Sequence, residues 1–230
     1  MKRKTFIIAF AVWVLFFAAR QAPSTPPNDD VEAKTVLLKM AEKHPAADSI
    51  TAHIQEMNDQ AVCTLKGLRE MFEAHIWRTP ETPFEARIEA WNNHIDFKKW
   101  MGKLDPVKGE LIMSRFRDQL DDMIERLSGG EITYSVKSAW INYCKFSPSN
   151  AFVRSGSKSR TIFLCPKWFE QPEREQVATL IHELVHTFGF SHPKETDTPL
   201  EALALAKASP SLAIQSPENF ESLVELYVCR

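Results

Sequence analysis

The sequence predicts an α+β chain, mainly helical, with a small β-sheet that comes just before a helix carrying two histidines. Three observations lead to this class. Apolar residues recur at alternating steps of three and four through the first half, which is the period of a helix. Short β-type runs bounded by polar turns follow between positions 132 and 164. The helical period then returns after Pro172. A chain of 230 residues, 44% hydrophobic and 25% charged, has the composition of a globular protein, so collagen-like and wholly disordered classes are excluded.

The chain opens with Met1-Lys2-Arg3-Lys4 and an apolar run from Phe6 to Ala19. A short basic head before an apolar stretch too short to span a bilayer comfortably is the pattern of a secretory signal peptide. Cleavage is expected near Ala22, making residues 1–22 the signal; the alternative is an uncleaved membrane anchor. Residues 23–49, beginning Pro23-Ser24-Thr25-Pro26-Pro27, read as a linker with a short helical lead-in, and residues 50–230 as a single domain. The expected location is secreted or periplasmic, with membrane contact only if the N-terminal segment stays on. Loss of residues 1–22 removes Lys2, Arg3, Lys4 and Arg20 and no acids, which moves the formal net charge from −2 to −6. Without a basic excess, no nucleic-acid partner is expected. Seven glycines argue against a glycine-rich phosphate loop.

Cys63, Cys144, Cys165 and Cys229 all lie beyond the signal. An even count in an exported chain points to disulfides, and four cysteines allow three pairings. Cys144 and Cys165 flank the expected strand pair, so Cys144–Cys165 with Cys63–Cys229 is the expected set, against buried free thiols as the alternative. None has the close spacing of a thiolate metal site.

Ile50, Ile54, Met57, Ala61, Leu65, Leu68, Phe72 and Ile76 form one apolar stripe and predict a long helix. Phe84, Ile88, Trp91 and Ile95 predict a second, after Pro80 and Pro83. Met113, Phe116, Leu120, Met123, Ile124 and Leu127 predict a third, stopped by Gly129-Gly130. All three stripes read as core. Strands are expected around Ile132, Tyr134 and Val136, at Ala151-Phe152-Val153 and at Thr161–Leu164, with the polar turn 154–160 joining the last two.

The next helix carries the chemistry. Val177, Leu180, Ile181, Leu184, Val185 and Phe188 make its apolar stripe, Pro172 suits its first position, and Gly189 can end it. His182 and His186 lie on the other side, one turn apart, so both imidazoles reach one metal ion. Glu183 is one step round from His182, placed to take a proton from an attacking water, while zinc polarises a carbonyl. These are the mechanics of a His-Glu-x-x-His motif, and the ion expected is one Zn2+ per chain.

Catalytic zinc takes a third protein ligand, and two residues compete for that place. His182-Glu183-x-x-His186-x-x-Gly189-x-x-His192 matches the extended metzincin pattern, in which the glycine turns the chain towards a third histidine. Metzincins also carry a methionine turn downstream, whereas the last methionine here is Met123. The other candidate is Asp197, in Glu195-Thr196-Asp197-Thr198-Pro199-Leu200, with Glu201 or Glu221 as remaining carboxylates.

The stretch from Cys144 through Ala151-Phe152-Val153, Ile162-Phe163-Leu164-Cys165 and Thr179–His186 resembles the aspzincins, and within them the lysine-specific metalloendopeptidase family. The resemblance spans residues 50–230 and is specific from about 140 onward. It implies a zincin-like fold and an exported zinc metalloendopeptidase acting on protein or peptide, with Glu183 as general base and Asp197 as third ligand. By resemblance, an acidic pocket after the scissile bond would prefer lysine. Ser216-Pro217-Glu218-Asn219-Phe220-Glu221 stands where the family has an Asn-Ala-Asp-x-Tyr-Glu-type helix, with Glu218 in place of its aspartate. Two departures matter: Glu195-Thr196 replaces the family's Gly-Thr, and Leu200 stands where the family has an oxyanion tyrosine. Tyr227, Tyr143 or an arginine are the substitutes for that tyrosine. The alternatives are a metzincin-like protease using His192, and a catalytically silent zinc-binding envelope or secreted protein.

Overall fold

The structure, a computed structural model, describes residues 47–136, 144, 150–154, 159–193 and 198–229. The expected signal segment, Tyr143 and Asp197 lie outside the described residues. Helix α1 spans Ala47–Phe72 and continues into a wider π-helical turn, Glu73–Trp77. Its stripe Met57, Ala61, Leu65, Leu68, Phe72 and Ile76 is fully buried. Helix α2 covers Phe84–Asn93, α3 Ile95–Trp100 and α4 Gly109–Ser128.

The second apolar stripe does not run on as expected. The backbone of His94 is extended (φ −74°, ψ 116°), which breaks the helix. Ile95 therefore opens α3 on the outside, 75% exposed, and Phe97 and Trp100 take the inward places. Trp91 anchors the break by donating its indole N–H to the Gly102 carbonyl at 2.8 Å. Gly102 has φ +86°, and a Cβ there would meet the Ala206 carbonyl oxygen at 2.0 Å, so only glycine fits.

Strands β1 (Thr133–Ser135), β2 (Ala151–Val153) and β3 (Thr161–Leu164) form one sheet in the order β1-β3-β2. β2 and β3 make the expected antiparallel hairpin, with Phe152 opposite Phe163, while β1 runs parallel to β3. A 3-10 turn, Pro166–Glu170, leads into α5 (Glu173–His186). Pro172 sits just before this helix and not inside it: its extended ψ of 145° caps the start, and its carbonyl accepts from the Glu175 and Gln176 amides. Helices α6 (Pro199–Ala208), α7 (Pro210–Ala213) and α8 (Pro217–Val224) complete the fold.

α5 lies at the centre, packed against α8 on one side, α1 on another and β2 above. The joint between the leading helices and α8 is aromatic. Trp91 meets Phe97 at 4.8 Å and Phe116 at 5.6 Å, both edge-on, and Phe116 stacks on Phe220 at 5.5 Å. Both expected disulfides are present: Cys144–Cys165 beside the sheet, and Cys63–Cys229, which ties the C-terminal segment to α1. Among the described residues no helix is long and apolar enough to cross a membrane.

Phe116 is fully buried at this joint. Phe116→Ala is expected to cost about 3–5 kcal/mol of unfolding free energy. Denaturant titration of the disulfide-intact chain reads it, and a loss below about 1 kcal/mol would show that the joint repacks without this ring.

Candidate metal centre

Helix α5 sets its motif by facing two ways at once. Val177, Leu180, Ile181, Leu184 and Val185 are fully buried in the core, which turns His182 and His186 towards the other side. Their rings stand 5.1 Å apart, centroid to centroid, as residues one turn apart should. Glu183 is more enclosed than its place on the helical wheel suggests. It is only 5% exposed, because α5 runs against β2 and the Val153 amide of that strand donates to its carboxylate.

The chain then reverses. Gly189, at φ +86°, allows the turn, with its amide on the His186 carbonyl at 2.9 Å. Arg126 of α4 braces the helix end, donating from Nη1 to the Thr187 carbonyl and hydroxyl, each at 3.0 Å, while its guanidinium lies over Phe188. The reversal returns His192 to the helix, 5.3 Å from the His182 ring and 4.6 Å from the His186 ring. One ligand-capable atom from each of these histidines lies within 4.8 Å of the others. The structure thus brings together His182, His186 and the rival third candidate.

Each ring has its Nδ1 engaged. His182 Nδ1 is 2.8 Å from Glu221 Oε2, His186 Nδ1 is 2.8 Å from the Phe190 carbonyl, and His192 Nδ1 pairs with Glu218 Oε1. Engagement at Nδ1 leaves Nε2 of each ring as the nitrogen able to face a metal, once that ring is neutral. Protonation follows the surroundings. Burial lowers the His186 pKa to about 4, helped by the charges of His182 and His192 and opposed by the Phe190 carbonyl. Burial also works against charge on His182, but the hydrogen bond and charge of Glu221, with Glu183 and Glu218, outweigh it and raise that pKa to about 9. Burial raises Glu183 to about 7, with Glu221 adding and His182 opposing.

The donor set suits a zinc ion: three imidazoles, with a carboxylate beside them. Glu183 Oε2 is a second sign. It is buried and without a hydrogen-bond partner among the described residues, a costly state for a carboxylate oxygen that a bound water would relieve.

Glu221 holds a histidine, and Glu201 accepts from the Thr198 hydroxyl at 2.7 Å in the cap of α6. Tyr227 donates its hydroxyl to Asp96 Oδ2 at 2.8 Å, and Leu200 is 78% exposed at the start of α6. The pairing of Glu218 with His192 was missed by sequence reasoning. Its one available signal is the three-residue spacing of Glu218 and Glu221, which puts both carboxylates on one side of a helix.

A two-histidine helix packed under the edge of a small sheet, with a buried glutamate between, defines a zincin-like metallopeptidase. The sequence model of the aspzincin family, described as lysine-specific metallo-endopeptidase, matches residues 88–225, more than half of the chain. The chain belongs to this family, whose members are zinc metalloendopeptidases. Among solved structures it is similar to a zinc peptidase from Grifola frondosa, with a TM-score of 0.57 at 18% identity, over 78% of this chain and 96% of that one. At that identity the likeness is one of fold. No match is found among the curated proteins.

If His182 ligates the metal, binding displaces the proton that Glu221 helps its ring to hold up to about pH 9. Apparent metal affinity is therefore expected to rise about tenfold per pH unit from pH 6 to 8 and to level off near the His182 value. Chelator competition at fixed ionic strength measures this. A flat profile would show His182 already neutral in the metal-free protein.

Proposed function

We propose that the chain is an exported endopeptidase whose single zinc is held by His182, His186 and His192, with Glu183 as general base. The observation that carries this reading is the convergence of three histidines, each engaged at Nδ1, beside a buried carboxylate with one oxygen unpartnered among the described residues. Zinc, when bound there, supplies the Lewis acid that polarises the peptide carbonyl and makes a water nucleophilic near neutral pH.

Glu183 takes the proton of the attacking water. Its pKa, raised by burial to about 7, suits a group that accepts a proton and gives it up again in one turnover. The water oxygen adds to the carbonyl carbon, the C–N bond breaks, and Glu183 passes the proton to the leaving amine. The products are a new carboxylate and a new amine. A protein or peptide is the substrate class, and the family's lysine preference is carried over as part of this reading.

Residues 50–230 are taken as the catalytic domain, 23–49 as a linker and 1–22 as the export signal. Two disulfides suit an oxidising compartment, in keeping with export. Asp197 is the alternative third ligand on family resemblance. A silent zinc-binding protein is the second reading, favoured by exposed Leu200 and by the engagement of Tyr227 with Asp96.

Glu183→Gln is expected to retain one zinc per chain and to lose peptide cleavage by a factor on the order of a thousand or more, as measured by elemental analysis and a peptide-library digest. Near-wild-type cleavage by that variant would remove Glu183 from the base role. His192→Ala is expected to release zinc and Asp197→Ala to keep it; the reverse result would make Asp197 the ligand. A wild-type chain that holds zinc but gives no zinc-dependent fragments would favour the silent reading.

A further inference from the structure

We propose that Arg126 of α4 is a positioning residue for the metal site: by clamping the reversal that follows α5, it sets the Phe190 carbonyl against the His186 ring. The inference rests on the reading of His186 as a metal ligand and is independent of which residue completes the ligand set.

His186 is the last residue of α5, where a helix runs out of amide donors and its end is prone to fray. Its imidazole can face a metal with either nitrogen unless a partner outside the ring makes the choice. Here the partner is backbone four residues on, the Phe190 carbonyl, 2.8 Å from His186 Nδ1. A carbonyl orients a ring only as well as its own loop is held. With Gly189 in that loop at φ +86°, the chain has little stiffness of its own.

One side chain supplies what the loop lacks. Arg126 donates from Nη1 to the Thr187 carbonyl and to the Thr187 hydroxyl, each at 3.0 Å, and its guanidinium carbon lies 3.6 Å from the centre of the Phe188 ring. The Thr187 hydroxyl is buried and donates in turn to the Leu184 carbonyl at 2.7 Å. A single cation thus grips two oxygens and an aromatic face on consecutive residues, and its charge suits the negative end of α5.

Arg126 is itself anchored. Met123 and Leu127 beside it on α4 are buried, and its carbonyl accepts from the Glu131 amide at 3.1 Å. The Glu131 carboxylate pairs at 2.7 Å with Arg160, whose own carbonyl accepts from Thr133 at the start of β1. Glu131, Asp122 and Arg160 are the charges that reach the Arg126 guanidinium, two acids against one base. The guanidinium is therefore a joint between α4, the end of α5 and the sheet.

The test uses the disulfide-intact chain and four variants. Arg126→Met removes the cation and keeps the stem. Arg126→Lys keeps the charge without the flat face that covers Phe188. Arg115→Met, at an exposed position of the same helix, controls for charge, and Ile112→Ala, a buried truncation near the other end of α4, controls for stability. Zinc affinity is read by chelator competition, the unfolding midpoint by denaturant titration, and the His186 ring by long-range 15N–1H spectra of the zinc-loaded protein. The expected loss of affinity is about tenfold for Arg126→Met and about three- to fivefold for Arg126→Lys, each with a changed His186 Nδ1–H signal. Both controls should stay within about twofold in affinity, although Ile112→Ala lowers the midpoint.

Wild-type zinc loading with unchanged affinity and an unchanged His186 signal in Arg126→Met would overturn the positioning role and leave the ligand reading intact. An equal loss of affinity in Arg115→Met or in Ile112→Ala would overturn it in favour of general charge or general stability. Should Arg126→Met fail to fold, Arg126→Lys decides, and its agreement with wild type in affinity and His186 signal would overturn the proposal. A wild-type chain that cannot be loaded with zinc would take down the ligand reading and this inference together.

Discussion

Three imidazoles converge on one point only if each is stopped from turning, and this site depends on that constraint. The contacts that hold the rings are at Nδ1, and they come from outside α5: two carboxylates from α8 and the Phe190 carbonyl from the reversal after α5. The histidine cluster is therefore only as well defined as the contact between α8 and α5. That contact depends in turn on the aromatic joint, where Phe220 stacks on Phe116 and Phe116 meets Trp91. A core packing decision far upstream of the motif, at Trp91 and Phe116, thus reaches the histidines through a few rigid rings.

The same packing sets the surroundings of Glu183, the proposed base. A glutamate on an exposed helix face stays ionised and well hydrated. Here β2 closes over it, the Val153 amide takes one share of its hydrogen bonding, and the other oxygen is buried without a partner among the described residues. Desolvation then works against the charge and brings the carboxyl near neutrality, where taking and returning a proton are comparably easy. The neighbouring His186 is pushed the opposite way by the same burial and stays neutral, the form a metal needs.

Membership of the aspzincin family accounts for the fold and leaves individuality in the site. His192 stands within reach of the two motif histidines, whereas family resemblance names an aspartate. Leu200, where the resemblance expects a tyrosine, faces solvent, and Tyr227, the described substitute among the tyrosines considered for that role, is engaged with Asp96 on α3. These differences concern the third ligand and the oxyanion side. The two histidines and the glutamate of α5 follow the family pattern.

What the sequence determined by itself was local. Steps of three and four specified the helices, and four-residue spacing put His182 and His186 on one face, because both are properties of a single helix. The cysteine pairing was legible because one pair flanks a short hairpin and leaves the other by remainder. Tertiary structure decided the rest. Ile95 continues an apolar stripe in sequence, yet it is exposed, because the backbone breaks at His94 where Trp91 reaches Gly102. Glu221 meets His182 across 39 positions, and Tyr227 meets Asp96 across 131. No periodicity encodes such pairs. They exist because α8 is docked on α5 by rings and a disulfide distant in the chain, and a carboxylate takes its partner from whatever that docking brings within hydrogen-bond reach.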